Sequence, residues 1–291
     1  MEVKSNQAIW NQDFTDANVI RLHDAIANQA AAALRAQLSP ATQAELSRRR
    51  PTNLPAYEAY QTGYLLWRQR KTAMAAPYLR QAVALNASFA RARTALAGCL
   101  AMMNTSSTEA RELLAQAQKL DDSLAEIYAA RGFMQIFHEH DWPGAEASQH
   151  QALALDPRCV NARHWLGVYL STQGRLDEAK TALRQALALD PTMPTLLADL
   201  GQIHYFAGES QPAENYCRQA LALDPHNSFA TAYLRQLEQA PALPDKETLW
   251  QEIANGSSFF KVYLKVEPRF APLHDDPRFQ ELLANINLSA K

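Results

Sequence analysis

Apolar residues recur along this chain at spacings of three and four, the period of a helix with one buried face. Val19, Leu22, Ile26, Ala30, Ala33, Leu34 and Leu38 predict an amphipathic helix over about 16–38, and Pro40 begins a second that ends in Arg48, Arg49 and Arg50. Further on the pattern acquires a longer period. The phrase QALALDP stands at Gln151, Gln185 and Gln219, with the variants QAVALNA at Gln81 and QAQKLDD at Gln116. These five anchors lie 35, 35, 34 and 34 residues apart.

Three columns of small residues keep step with the phrase. Gly63, Gly98, Gly132, Gly167 and Gly201 are followed 12 or 13 residues later by Ala75, Ala110, Ala145, Ala179 and Ala213, and then by Ala82, Ala117, Ala152, Ala186 and Ala220. Two antiparallel helices approach closely only where neither projects a large side chain, so the glycine of one helix is expected to meet the alanine of the next. The Leu-Asp-Pro ending supplies a stop: the residue before proline leaves the α region, and proline suits the first turn of a following helix. Each unit therefore reads as helix, turn, helix, stop, and must stack on its neighbours to bury its apolar face. The extra residue of the third unit is expected in its turn, His138 to Gly144.

This period, with its glycine, two alanine columns and terminal proline, resembles the tetratricopeptide repeat. The unit Val160 to Met193, containing WLGVYLSTQGRLDEAKTALRQALALDP, matches nearly every signature column except the early tryptophan, where it has Arg163. The resemblance implies an all-α, right-handed solenoid of about five helix-turn-helix units with helical caps at both ends. Residues 1–52 are read as an N-terminal helical segment, 53–240 as the array with a capping helix carrying Phe229, Tyr233 and Leu237, and 241–291 as a C-terminal helical cap. Within the last, a helix pair over 248–266 breaks at Gly256, and Asp276 caps a final helix with Pro277 at its first position. Phe259, Phe260, Val262, Tyr263, Leu264, Phe270 and Phe279 make this segment too apolar to stay free. It is expected to stack as a sixth layer on the last repeat, because a superhelix of about five repeats should hold the first unit several tens of ångströms away.

The flanks carry a second resemblance. WNQDF, RRRPTNLPAYEAYQTGYLLW and YLKVEPRFAPLHDDPRFQELL are similar to the C-terminal half of bacterial winged-helix transcriptional regulators with repeat arrays, and of class III adenylate cyclases of like architecture. In those relatives the array follows a DNA-binding or cyclase domain, and no such domain is expected within these 291 residues. The likeness therefore implies the sensing or protein-binding half of such a machine, in the cytoplasm, or in the periplasm if a membrane span separates the halves.

Composition agrees with an all-α chain, since only 9 of 291 residues are glycine. Lys and Arg number 28 against 30 Asp and Glu, so the broad basic face of a nucleic-acid-binding domain is missing and no direct nucleic-acid binding is expected. The arginine triplet reads as a solvated helix end that complements the helix dipole. No apolar run approaches the roughly 18 residues that span a bilayer. Cys99, Cys159 and Cys217 are odd in number and without CxxC spacing, which argues for a reducing compartment rather than a disulfide framework.

Chemistry is sparse. His138, Glu139, His140 and Asp141 have metal-ligand side chains, but an HxH in a turn offers two ligands where a transition metal needs three or four on a rigid frame. A solvated turn is expected, with no metal and no cofactor. Cys159 and His164 lie five apart with no orienting acid, and no phosphate-binding or nucleophile motif occurs, so the chain reads as non-enzymatic. In the tetratricopeptide family positions 2, 5, 9, 12 and 13 of each unit point into a concave groove. Counted from the glycine at position 8, they fall here on Tyr57, Tyr60, Tyr64, Trp67 and Arg68; on Cys99, Met102 and Met103; on Glu126, Phe133, Ile136 and Phe137; on Asn161, His164, Val168, Ser171 and Thr172; and on Gln202, Tyr205 and Phe206. Such a lining, aromatic and methionine-rich at one end, suits an amphipathic partner helix or peptide. The alternative is a small-molecule sensor whose pocket is closed by the flanking helices.

Overall fold

The computed structural model describes residues 53–104, 107–238, 245–256 and 258–288. The helices expected over 16–38 and from Pro40 lie outside the described residues. Five helix pairs follow one another: α1 (Leu54–Arg68) with α2 (Thr72–Leu85), α3 (Ala90–Met103) with α4 (Ser107–Leu120), α5 (Ala125–Met134) with α6 (Trp142–Leu155), α7 (Val160–Thr172) with α8 (Leu176–Leu189), and α9 (Pro194–Phe206) with α10 (Ser210–Leu223). Then come α11 (Ser228–Glu238), α12 (Lys246–Asn255), the single turn α13 (Ser258–Lys261), a 3-10 turn at Pro268–Leu273, and α14 (Pro277–Asn285). Asp276 caps α14, its side chain accepting from the Arg278 N–H, with Pro277 in the first turn.

The small-residue columns are where the helices touch. All ten column alanines have no exposed surface. A Cβ on Gly167 would lie 2.8 Å from Leu183 Cγ and 3.3 Å from the Ala179 carbonyl oxygen, so the glycine meets the backbone of the alanine column and the side chain one turn beyond it. Gly98 differs, because a Cβ there would lie 2.8 Å from Cζ2 of Trp67 in the preceding unit.

The stop works differently from expectation. Asp156, Asp190 and Asp224 do leave the helical region, with ψ of 100°, 84° and 94°. The prolines that follow occupy a two-residue turn and are not part of the next helix, which starts at Val160, Pro194 or Ser228. What fixes the turn is the aspartate side chain, whose Oδ1 accepts the N–H two residues on: Arg158 at 2.9 Å, Thr192 at 3.2 Å and His226 at 3.2 Å. Asn86 and Asp121 do the same for Ser88 and Ser123, which explains why the phrase tolerates Asn without proline but keeps an Asx side chain. The extra residue of the third unit is also placed otherwise: it is absorbed as a π-helical turn, Gln135–Glu139, at the end of the first helix of that unit.

The array curves enough to bring its first unit against its fourth. Arg68, ending α1, forms an ion pair with Asp190, which stops α8. The expectation of a distant first unit is thereby corrected, and with it the path of the C-terminal segment. That segment does not stack as a sixth layer; it turns back across the concave side. Tyr263 packs on Phe206 with centroids 5.6 Å apart, Val266 lies beside Gly174, and α13 touches the π-turn of the third unit. The chain ends against that same unit, where Trp142 Nε1 donates to the Ile286 carbonyl at 3.0 Å and Asn287 Nδ2 to the His140 carbonyl at 3.2 Å. Each repeat adds a rotation of the same sense, so the first helices of all units face one another, and a segment leaving the fifth reaches the third by crossing the concavity rather than travelling its length. Val262, Leu264, Phe270, Leu273, Phe279 and Leu283 join the core of the array. Among the described residues no helix is long and apolar enough to cross a membrane.

Candidate functional site

The concave side is divided in two by Met102, Phe133 and Trp165, which face both spaces. The first space is a narrow groove over units one to four with room for about 30 Å³, walled by Tyr60, Tyr64, Trp67, Arg91, Glu126 and Asn161, and none of its lining comes from the C-terminal segment. Tyr57, Tyr60, Tyr64 and Trp67 follow at three, four and three residues, so α1 presents them as one stripe. Their ring centroids are 6.4, 5.5 and 5.7 Å apart in succession. Trp67 is fixed by its Nε1, which donates to the Met102 sulfur at 3.1 Å. Burial pushes the Tyr60 and Tyr64 hydroxyls above their ordinary pKa, so both remain neutral donors.

The second space is a cavity of about 370 Å³ between the array and the returning segment. Phe137, Val168, Ala198 and Gln202 form its floor; Phe260, Tyr263 and Glu267 close it from the C-terminal side. Its polar groups are few. The Gln202 side-chain amide donates to the Tyr233 hydroxyl. Asp199 accepts from the fully buried His164 imidazole, which stacks on Trp165 at 4.3 Å. Burial lowers the His164 pKa, with the Asp199 partner opposing. Burial raises that of Glu267, opposed by Arg269, whose Nε donates to it at 3.2 Å. Arg70 projects from the α1–α2 turn, its guanidinium 5.2 Å above the Trp165 ring and its Nη1 3.5 Å from the Met102 sulfur.

The expected groove residues divide accordingly. Tyr60, Tyr64, Trp67, Met102, Glu126, Phe133 and Asn161 line the narrow groove, and Phe133, Phe137, Val168 and Gln202 line the cavity. Tyr57 stands at the edge of its stripe, and Arg68 spans the concavity to Asp190. Tyr205 and Phe206 are covered by Tyr233 and Tyr263. Five positions are corrected. Cys99 and Ile136 are wholly buried in the core, Cys99 Sγ lying 3.2 Å from the Thr72 carbonyl with its thiol pKa pushed up to about 11 by burial. His164 turns inward to Asp199, and Ser171 and Thr172 return their hydroxyls to the Val168 and Tyr169 carbonyls of their own helix. Met103 packs partly buried against the core. Trp165 was outside the expected set, although Asn161, Trp165 and Val168 are spaced four and three and so share one face of α7. Arg70 had no signal in the repeat columns, because its turn position varies between units and is glycine only in the fourth and fifth, at Gly174 and Gly208.

The polar turn at His138 is divided among structural tasks. His138 Nε2 donates to the Ala101 carbonyl at 2.9 Å, Glu139 accepts from Arg111 at 2.8 Å, and Asp141 caps α6 through the Gly144 N–H. Among the described residues no group of three or more could hold a metal ion.

Two family models, each described as tetratricopeptide repeat, match residues 60–125 with 139–194 and residues 170–237, together more than half of the chain. The chain is a tetratricopeptide-repeat protein. Tetratricopeptide repeats form protein-protein interaction modules and are generally non-catalytic scaffolds. A thermophilic tetratricopeptide-repeat protein of Thermus thermophilus is 18% identical over 62% of this chain and 98% of its own, with a TM-score of 0.53. The pilus biogenesis factor PilW is 18% identical over 81% of this chain and 100% of its own, at a TM-score of 0.49. YrrB, described as having an unusual peptide-binding site, is 18% identical over 61% and 90%, at 0.40. The Thermus likeness shows the fold. No curated protein matches the sequence.

Proposed function

We propose that this tetratricopeptide array is a non-catalytic recognition module, the regulatory half of a bacterial transcriptional regulator, and that it binds an amphipathic partner helix along the half of its concave groove that the returning C-terminal segment does not line. The observation that carries the reading is the half-buried aromatic stripe Tyr60, Tyr64 and Trp67, which lines a groove made by the array alone, whereas the returning C-terminal segment lines the other space. Large aromatic side chains flanked by an adaptable methionine supply apolar area to a helix laid along them. Arg91 and Glu126 at the walls offer one charge of each sign for register. The regulator assignment rests on the sequence likeness of the flanks, and places the protein in the cytoplasm, or in the periplasm if a membrane span belongs to the whole molecule.

The test is selection from a displayed peptide library on the full chain. Retained peptides are expected to be amphipathic helices with large apolar residues at helical spacing, and to lose binding on Tyr64→Ala with Trp67→Ala. Leu65→Ala, which alters an exposed residue of the same helix, should leave binding intact. Peptides that bind the double variant as well as the wild type would refute the groove as the site.

A further inference from the structure

Arg70 occupies a left-handed backbone position that the fourth and fifth units give to glycine, while Asn104 and His140 take it up, with φ of 54° and 51°, at the ends of the first helices of the second and third. Gly174 and Gly208 follow their column glycines by seven residues, as Arg70 follows Gly63, and the three have φ of 79°, 75° and 60°. A left-handed backbone is strained for a residue with a Cβ. Asn and His enter this region more readily than arginine does, so Arg70 is the more strained choice, and such an outlier points to a function for its guanidinium.

Its surroundings say what kind. Among the described residues no carboxylate accepts a hydrogen bond from Arg70; its contacts are the Trp165 face and the Met102 sulfur. The other charged groups on the cavity wall are engaged, Asp199 by His164 and Glu267 by Arg269 and Tyr205. Thr195 Oγ1, on the same wall, is buried with no hydrogen-bond partner. The remaining wall is largely aromatic and aliphatic, and a volume of about 370 Å³ is that of a small-molecule site.

We propose that this cavity is a binding site for a small carboxylate carrying a flat apolar body. The guanidinium fork takes the carboxylate, because its planar pair of donors matches two oxygens. The Thr195 hydroxyl donates to the same group, and Phe137, Trp165, Phe260 and Tyr263 enclose the body. An amine of equal shape would set its charge against Arg70. Two of the enclosing rings, Phe260 and Tyr263, belong to the returning segment, so occupancy holds that segment in place. The proposal is independent of helix recognition in the groove of the aromatic stripe.

The experiment is isothermal titration calorimetry of the full chain with 3-phenylpropionate and with 3-phenylpropylamine. The carboxylate is expected to saturate one site and the amine to give no binding. Arg70→Gly should weaken the carboxylate on the order of ten- to hundredfold while the melting temperature is maintained or raised, since glycine relieves the strained φ. Arg70→Lys, which keeps the charge without the fork, should fall between the two. Arg158→Ala, at an exposed turn that lines neither space, should leave the affinity unchanged. Absence of carboxylate binding at millimolar concentration, equal binding of the amine, or an affinity indifferent to both Arg70 variants would overturn the assignment.

Discussion

The guanidinium of Arg68 at the end of α1 meets the carboxylate of Asp190, 122 residues away at the end of α8. Asp190 uses its two oxygens separately: Oδ2 takes Arg68, and Oδ1 takes the N–H and hydroxyl of Thr192 to hold the turn into α9. Both side chains of the pair are partly exposed, so its direct contribution is small, about 0.5–1 kcal/mol. Asp190→Ala is therefore expected to cost more than Arg68→Ala, by about the 1 kcal/mol of the lost turn bonds. A double-mutant cycle in urea should show the coupling, and 1 M salt should reduce it. Equal costs for the two variants would contradict the separate roles.

Gly167 sits at the closest approach within the fourth pair, and a side chain there has no direction in which to yield. Gly167→Ala forces the Leu183 side chain to move, and Gly167→Leu drives a branched chain into the Ala179 backbone as well. Overpacking costs roughly 1–3 kcal/mol and more where backbone must shift, so the leucine variant should melt well below the alanine variant and both below wild type. An unchanged melting temperature in the leucine variant would mean that the close approach is not rigid.

Deletion of residues 245–291 removes one wall of the cavity. The remaining units hold each other by nearest-neighbour packing, so the array should stay helical but melt lower. A variant retaining Trp165 as its one tryptophan should report wetting of the cavity by a red shift in emission. No shift, with full loss of the C-terminal segment, would place that segment elsewhere than across the concavity.

Burial lowers the pKa of His138, His140, His164 and His204, so the folded chain binds fewer protons at these sites than the unfolded one. The stability these neutral imidazoles contribute is present above the unfolded value of about 6.5 and is lost as pH falls through the folded values. Glu267, raised by burial, acts with the opposite sign: its contribution is present below the ordinary carboxylate value and lost as pH rises through its folded pKa. With four groups against one, urea midpoints are expected to drop between pH 7 and pH 5. A midpoint that rises over that interval would show that Glu267 dominates.

Much of the molecule is written locally. The spacing of three and four, the glycine and alanine columns and the recurrent Asx residue determine the helices, their pairing and their stops, because each depends on neighbours within one unit. The aromatic stripe of α1 was legible for the same reason, being a single face of a single helix. The π-turn at Gln135–Glu139 could be counted as one extra residue but not located, since a helix end and a loop can both absorb an insertion. What only the tertiary structure decided is the curvature, which accumulates from rotations between units that no single unit encodes. That curvature brings Arg68 to Asp190, turns the C-terminal segment across the concavity toward Trp142, and makes Arg70, a turn residue of the first unit, part of a cavity wall.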